Sequence, residues 1–322
     1  MTTKTKPNSL VLTFGDNAAL RTLCGINHNN LAMIERAFSV QMHAPGGKIT
    51  IEGAADDIAL AGNVTERLYA LAEQGEAVGE PQVRAELSFA GPNTGKPKLD
   101  QIQFGSGRRK IVPRNPSQQL YLQALKDQSA DLVFGIGPAG TGKTFLAIAY
   151  GASLLLAKQV DRLIVARPAL EAGERLGFLP GDLEEKVDPY MIPIWDALNQ
   201  TIGPEKLSRL KEQGKIQIAP LAFMRGRTLA DAYVVLDEAQ NATIGQMQMV
   251  LTRLGEGGRM IVTGDPDQSD LPRGQESGLV HAVRILAGVE GISQHRFFAS
   301  DVVRHPLVAR IVRAYAADRD DQ

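Results

Sequence analysis

The sequence predicts an α/β protein, a parallel sheet wrapped by helices and preceded by a smaller α+β domain. Three observations predict it. From residue 115 onward, short apolar segments alternate with helix-length ones, the pattern of parallel strands joined by helices. Those apolar segments lack strict alternation, as strands covered on both faces do. Before them the order reads strand, helix, helix, strand, strand, helix, followed by a stretch rich in Gly, Pro, Asn and Lys.

In the front part, residues 9–14 read as a strand. Residues 17–23 and 29–38 read as two short helices separated by Gly25, Ile26, Asn27 and His28. Residues 40–43 and 48–51 form a hairpin around Gly46 and Gly47. A helix is expected over 56–71, with Ile58, Leu60, Ala61, Val64, Leu68 and Leu71 at helical spacing. These elements define a domain over 1–75. Residues 76–114 read as a linker with at most one strand, over 99–104, and residues 115–322 as the second domain. Its strands are expected at 132–136, 162–165, 215–218, 232–236 and 260–262, with a sixth around 292–298.

Composition narrows the class. The formal net charge of −1 gives no global field toward nucleic acid, so such binding needs a local patch. Cys24 is the only cysteine, which excludes an intramolecular disulfide and a cysteine-built zinc site. The N-terminal residues lack the apolar region of a signal peptide. The most apolar helix, 145–157, is too short to span a bilayer, so a cytoplasmic protein without a membrane partner is expected.

The strand expected at 132–136 runs into Gly137, Pro138, Ala139, Gly140, Thr141, Gly142, Lys143 and Thr144, a complete G-x-x-x-x-G-K-[ST] loop between strand and helix. Its glycines let backbone N–H groups turn toward phosphates, and the following helix points its positive end the same way. The Lys143 ammonium suits β- and γ-phosphates, and the Thr144 hydroxyl suits Mg2+. A second strand delivers Asp237 and Glu238, the first placed to hold Mg2+ through water, the second to orient or deprotonate an attacking water. A third strand ends in Gly264-Asp-Pro-Asp-Gln268, where Gln268 can sense the γ-phosphate and Asp265 can bridge toward a nucleic-acid face. The alternative for that segment is a plain β-turn. Gln118, ahead of an amphipathic helix, has an amide able to read an adenine edge, while Asn115 and Pro116 suit the helix start. These groups together expect Mg2+ with ATP as the ligand.

In this order the four pieces resemble superfamily 1 helicase ATPase cores. Closer still, Ala166-Arg-Pro-Ala-Leu-Glu-Ala-Gly-Glu-Arg-Leu-Gly-Phe-Leu-Pro-Gly-Asp182, Lys186-Val-Asp-Pro-Tyr190, Pro220-Leu-Ala-Phe-Met-Arg-Gly-Arg-Thr228, Asp237-Glu-Ala-Gln-Asn241 and Ser300-Asp-Val-Val-Arg-His305 resemble the PhoH family over roughly residues 115–315. The front domain resembles that of PhoH-like proteins associated with a YbeY-type rRNA endoribonuclease. The resemblance implies a RecA-like P-loop NTPase that hydrolyses ATP to ADP and phosphate and is linked to RNA metabolism. It places Arg167 at a motif that touches single-stranded nucleic acid in helicases; a loop arginine capping the sheet edge is the alternative. Arg225 and Arg227 can pair with nucleotide or RNA phosphate, or form ordinary salt bridges. Arg304 is the candidate arginine finger, with helix-start electrostatics as its rival.

The order of elements in the front domain also resembles a KH module, which clamps RNA with a G-x-x-G loop. Here the loop is Gly25-Ile-Asn-His28, its second glycine replaced, so RNA binding and protein contact both stay open. The basic run 108–114 and the aromatic residues between Phe178 and Trp195 are further surfaces for RNA, with solvated linker and packing as their alternatives. After Gln268 too little sequence remains for a second RecA-like domain, so a homo-oligomer, as a ring, is expected to close the site. Two functions follow: an RNA-stimulated ATPase that remodels RNA, or an ATP-dependent switch that recruits a protein partner such as the endoribonuclease.

Overall fold

The structure, a computed structural model, describes residues 8–75, 78–90, 100–104, 110–168, 183–272 and 274–303, with the backbone alone for 8, 81 and 183–190. The chain divides into two compact units, Met1–Leu99 with Pro113–Pro116, and Asp100–Val112 with Ser117–Gln322.

In the first unit β1 (Asn8–Thr13), α1 (Asn17–Cys24), α2 (Asn29–Phe38), β2 (Gln41–His43), β3 (Lys48–Gly53) and α3 (Ala55–Glu73) follow the order read from the sequence. The strands form an antiparallel sheet ordered β1-β3-β2. Ile49 and Ile51 of β3 point to one face, where Ile58, Ala61, Val64 and Leu68 of α3 bury their stripe. The Asp16 carboxylate caps α1, accepting from Ala18 N at 2.7 Å. One element departs from expectation. A helix, α4 (Glu80–Ser88), occupies part of the stretch read as linker. Its nine residues are mostly polar and show no clear helical stripe. Tertiary contacts hold it: Val83 is fully buried, and Glu86 pairs with Arg67 of α3 at 2.5 Å.

The second unit begins with a short antiparallel pair, β4 (Ile102–Gln103) and β5 (Lys110–Ile111), also within the expected linker. Then come α5 (Pro116–Lys126), β6 (Leu132–Ile136), α6 (Lys143–Leu156), β7 (Arg162–Arg167), α7 (Leu183–Ile202), α8 (Pro204–Glu212), β8 (Ile216–Pro220), β9 (Ala232–Leu236), α9 (Ile244–Leu251), β10 (Arg259–Gly264), α10 (Gly278–Ile285) and β11 (Ile292–Arg296). The six strands from β6 to β11 make one parallel sheet, ordered β11-β6-β10-β9-β7-β8. Every residue of β6 and β9 is buried, which explains their unbroken apolar sequence. Side chains alternate between two cores. Val133, Val165, Val235 and Ile261 face α5, α6 and α7, whereas Phe134, Ile164, Val234 and Val262 face α9 and α10. Because all six strands run the same way, the loops after β6, β9 and β10 open on one edge. No helix among the described residues is long and apolar enough to cross a membrane.

Candidate nucleotide site

Beyond the carboxyl ends of these strands lies a cleft of about 250 Å³. It is lined by the loop between β6 and α6, by Asp237 and Glu238 after β9, and by Gly264, Asp265 and Gln268 at and after the end of β10. Gly142 sits at φ +85, a conformation that favours glycine, and a Cβ there would meet the Gln118 amide at 2.7 Å and force that side chain to shift. Lys143 is 7% exposed, its Nζ donating to the Pro138 carbonyl at 2.9 Å. Burial pushes its pKa down, opposed by the carboxylates of Asp265, Glu238 and Asp237.

Asp237 joins the cleft's parts. Its Oδ1 accepts from the Thr144 hydroxyl at 2.6 Å and the Thr263 hydroxyl at 2.8 Å. Its Oδ2 accepts from Arg167 Nε at 2.8 Å and Nη2 at 2.6 Å. A carboxylate 1% exposed is thus satisfied on both oxygens, which burial of its charge demands. Thr144 and Asp237 offer a hydroxyl and a carboxylate, hard oxygen donors suited to Mg2+. Among the described residues no cluster of three His, Cys, Asp or Glu could hold a metal. The Thr144 hydroxyl and the Asp237 carboxylate fit an ion held by few protein groups together with phosphate and water.

Glu238 follows at φ +52, a left-handed conformation unusual for a residue with a Cβ. Its carboxylate stays half exposed at the cleft, with Oε2 accepting from Gln240 Nε2 at 2.6 Å. The Gln240 side-chain Oε1 accepts from Asp265 N at 3.0 Å, and Asp265 Oδ2 accepts from Ala139 N at 3.1 Å. One chain of bonds therefore runs from Glu238 to the phosphate loop.

The family model described as "PhoH-like protein" matches residues 110–316. The PhoH-like proteins of Mycobacterium tuberculosis H37Rv and Bacillus subtilis 168 are 46% and 45% identical to this chain, covering 91% of it in each case and 84% and 93% of their own lengths. The chain belongs to the PhoH family. Protein PhoH of Escherichia coli K12 is 48% identical over 64% of this chain and 58% of its own. A crystal structure of Pif1 helicase from Candida albicans aligns at a TM-score of 0.30 with 14% identity, over 57% of this chain and 40% of that one. Likeness of that degree leaves function to be argued from the PhoH chain itself. The family and the parallel sheet make the protein a nucleotide-binding P-loop NTPase.

The structure gathers Lys143, Thr144, Asp237, Glu238 and Gln268 around one cleft. Other expected residues lie elsewhere. Gln118 is 5% exposed, donates to the Thr141 carbonyl at 2.8 Å and does not line the cleft. Arg227 donates to Gln217 at 2.7 Å, and Arg225 is exposed. Arg304 lies outside the described residues, as do Phe178 and most of the 166–182 motif. Trp195 packs at the edge of the core, with the Lys211 ammonium 4.6 Å from its ring. Sequence reasoning gave no role to Thr263 or Gln240. Gln240 stands inside the Asp237–Asn241 motif and Thr263 just before Gly264, and their value appears only where β9 and β10 lie side by side.

Proposed function

We propose that this PhoH-family protein hydrolyses ATP to ADP and phosphate in an RNA-linked role. The single observation that carries the reading is the 2.6 Å bond between the Thr144 hydroxyl and Asp237, beside Glu238 in the cleft. It brings the metal-side groups of two distant segments to one point, next to the half-exposed Glu238 carboxylate, which faces the cleft. The loop amides and Lys143 would bind the phosphates, Glu238 would hold the attacking water and accept its proton, and Gln268 would sense the γ-phosphate. Mg2+, when bound near Thr144 and Asp237, would neutralise phosphate charge. Gln118, against the loop, would favour adenine, and Arg304 would act as an arginine finger in a homo-oligomeric ring in the cytoplasm.

A second reading is favoured by Arg167. That arginine, a candidate for touching RNA, is engaged with Asp237. On this reading the protein is an ATP-dependent switch recruiting a YbeY-type endoribonuclease without unwinding RNA. Phosphate release with and without single-stranded RNA separates the two. Glu238→Gln should lower turnover by about 10²–10⁴-fold in either case. Stimulation by RNA supports the first reading and its absence the second; undiminished turnover in Glu238→Gln removes both.

A further inference from the structure

The groups that would handle a terminal phosphate lie on one side of the phosphate loop. In the sheet order, β6 is followed by β10 and then β9, which bring Asp265, Gln268, Asp237 and Glu238. On the other side of β6 lies β11 alone. With its terminal phosphate between Lys143 and Glu238, a nucleotide would extend its sugar and base away from β10, toward the end of β11.

At that end the chain is tied to the phosphate loop. Phe297 N donates to Ile136 O at 2.7 Å, and Val303 N donates to Gly140 O at 3.0 Å. The Phe297 carbonyl lies so close to Gly137 that a Cβ there would strike it. Between the two ties the chain makes a tight turn. Phe298 N donates to the Asp301 carboxylate at 2.7 Å, and Asp301 N donates to Phe298 O at 2.9 Å. The turn separates two neighbouring rings. Phe297 is 2% exposed in the core, whereas Phe298 is 60% exposed. An aromatic ring is thus held in water on a braced segment beside the loop.

We infer that Phe298 is the platform on which the base of the bound nucleotide stacks, with Val303 as an apolar edge. The inference rests on the nucleotide reading of the cleft and adds the element that distinguishes a nucleoside phosphate from bare polyphosphate. A phenyl ring offers a face to any base, so it supplies affinity for nucleotides as a class, without selecting among bases.

The test is calorimetric titration of the full chain with ADP, ATP and inorganic tripolyphosphate. Phe298→Ala should weaken both nucleotides by roughly tenfold or more and leave tripolyphosphate within about twofold. Phe298→Tyr should retain wild-type affinity, and Phe298→Leu, equally apolar but without a π face, should behave as Phe298→Ala. Because the ring is mostly exposed, these changes spare the core. Nucleotide affinity unchanged in Phe298→Ala, or tripolyphosphate weakened equally, overturns the inference and leaves the nucleotide site standing. A wild-type chain that binds none of the three overturns both.

Discussion

Two glycine-led loops differ instructively. The loop from Gly137 to Thr144 places glycines at its left-handed positions, with φ of +139, +81 and +85 at Gly137, Gly140 and Gly142. The loop from Gly25 to His28 between α1 and α2 has one such glycine, at φ +72, then puts Asn27 and His28 at +52 and +59. Where side chains are absent, backbone N–H groups can approach an anion closely. Where side chains occupy the same kind of turn, they stand between backbone and ligand, and Ile26 is left 86% exposed. Gly25 itself answers to packing: a Cβ there would lie 2.8 Å from the buried side chain of Asn30. That amide donates to Leu23 O at 2.9 Å and Val78 O at 3.0 Å. The first loop is shaped by left-handed glycines, the second by left-handed side-chain-bearing residues and the packing of Gly25 against Asn30.

The sharpest way to break this comparison is Gly142→Ala. Strain at positive φ together with contact on Gln118 should lower ADP affinity by roughly ten- to a hundredfold; undiminished binding would show that the loop is not the phosphate cradle. Asn30→Ala should act on the other loop. Leaving two carbonyls unpaired costs about 2–4 kcal/mol, read as faster hydrogen exchange in α1 and α2, and protection equal to wild type would refute the packing role of Gly25 and Asn30. The smallest effect belongs to His28→Gly. Relief of one left-handed residue, offset by the freedom glycine gains when unfolded, should raise stability by no more than about 1 kcal/mol. The same change restores the second glycine of a G-x-x-G loop. A gain in binding to single-stranded RNA would mark a weakened RNA clamp; unchanged binding favours contact with protein.

Much of the fold was legible because its signals are local. The strands of the parallel sheet are continuous apolar runs, and α6 starts where the loop's last glycine ends. The helix α4 was not legible, since Val83 and Glu86 gain their meaning only from α3. In the same way the site's parts could be read while its wiring could not. Arg167 and Asp237 are 70 positions apart, and each alone resembles an ordinary charged residue at a strand end.

By itself, the sequence determined the family, the sheet-forming segments and the phosphate loop, because strand burial and left-handed glycines are written in residue type and spacing. The tertiary structure alone decided that Arg167 holds Asp237, that Gln240 joins Glu238 to Asp265, and that Phe298 stands exposed beside the loop. The physical reason is the order of strands. Which side chains face one another across the sheet's edge depends on β6 lying between β10 and β11, and that order comes from packing the whole sheet between two layers of helices.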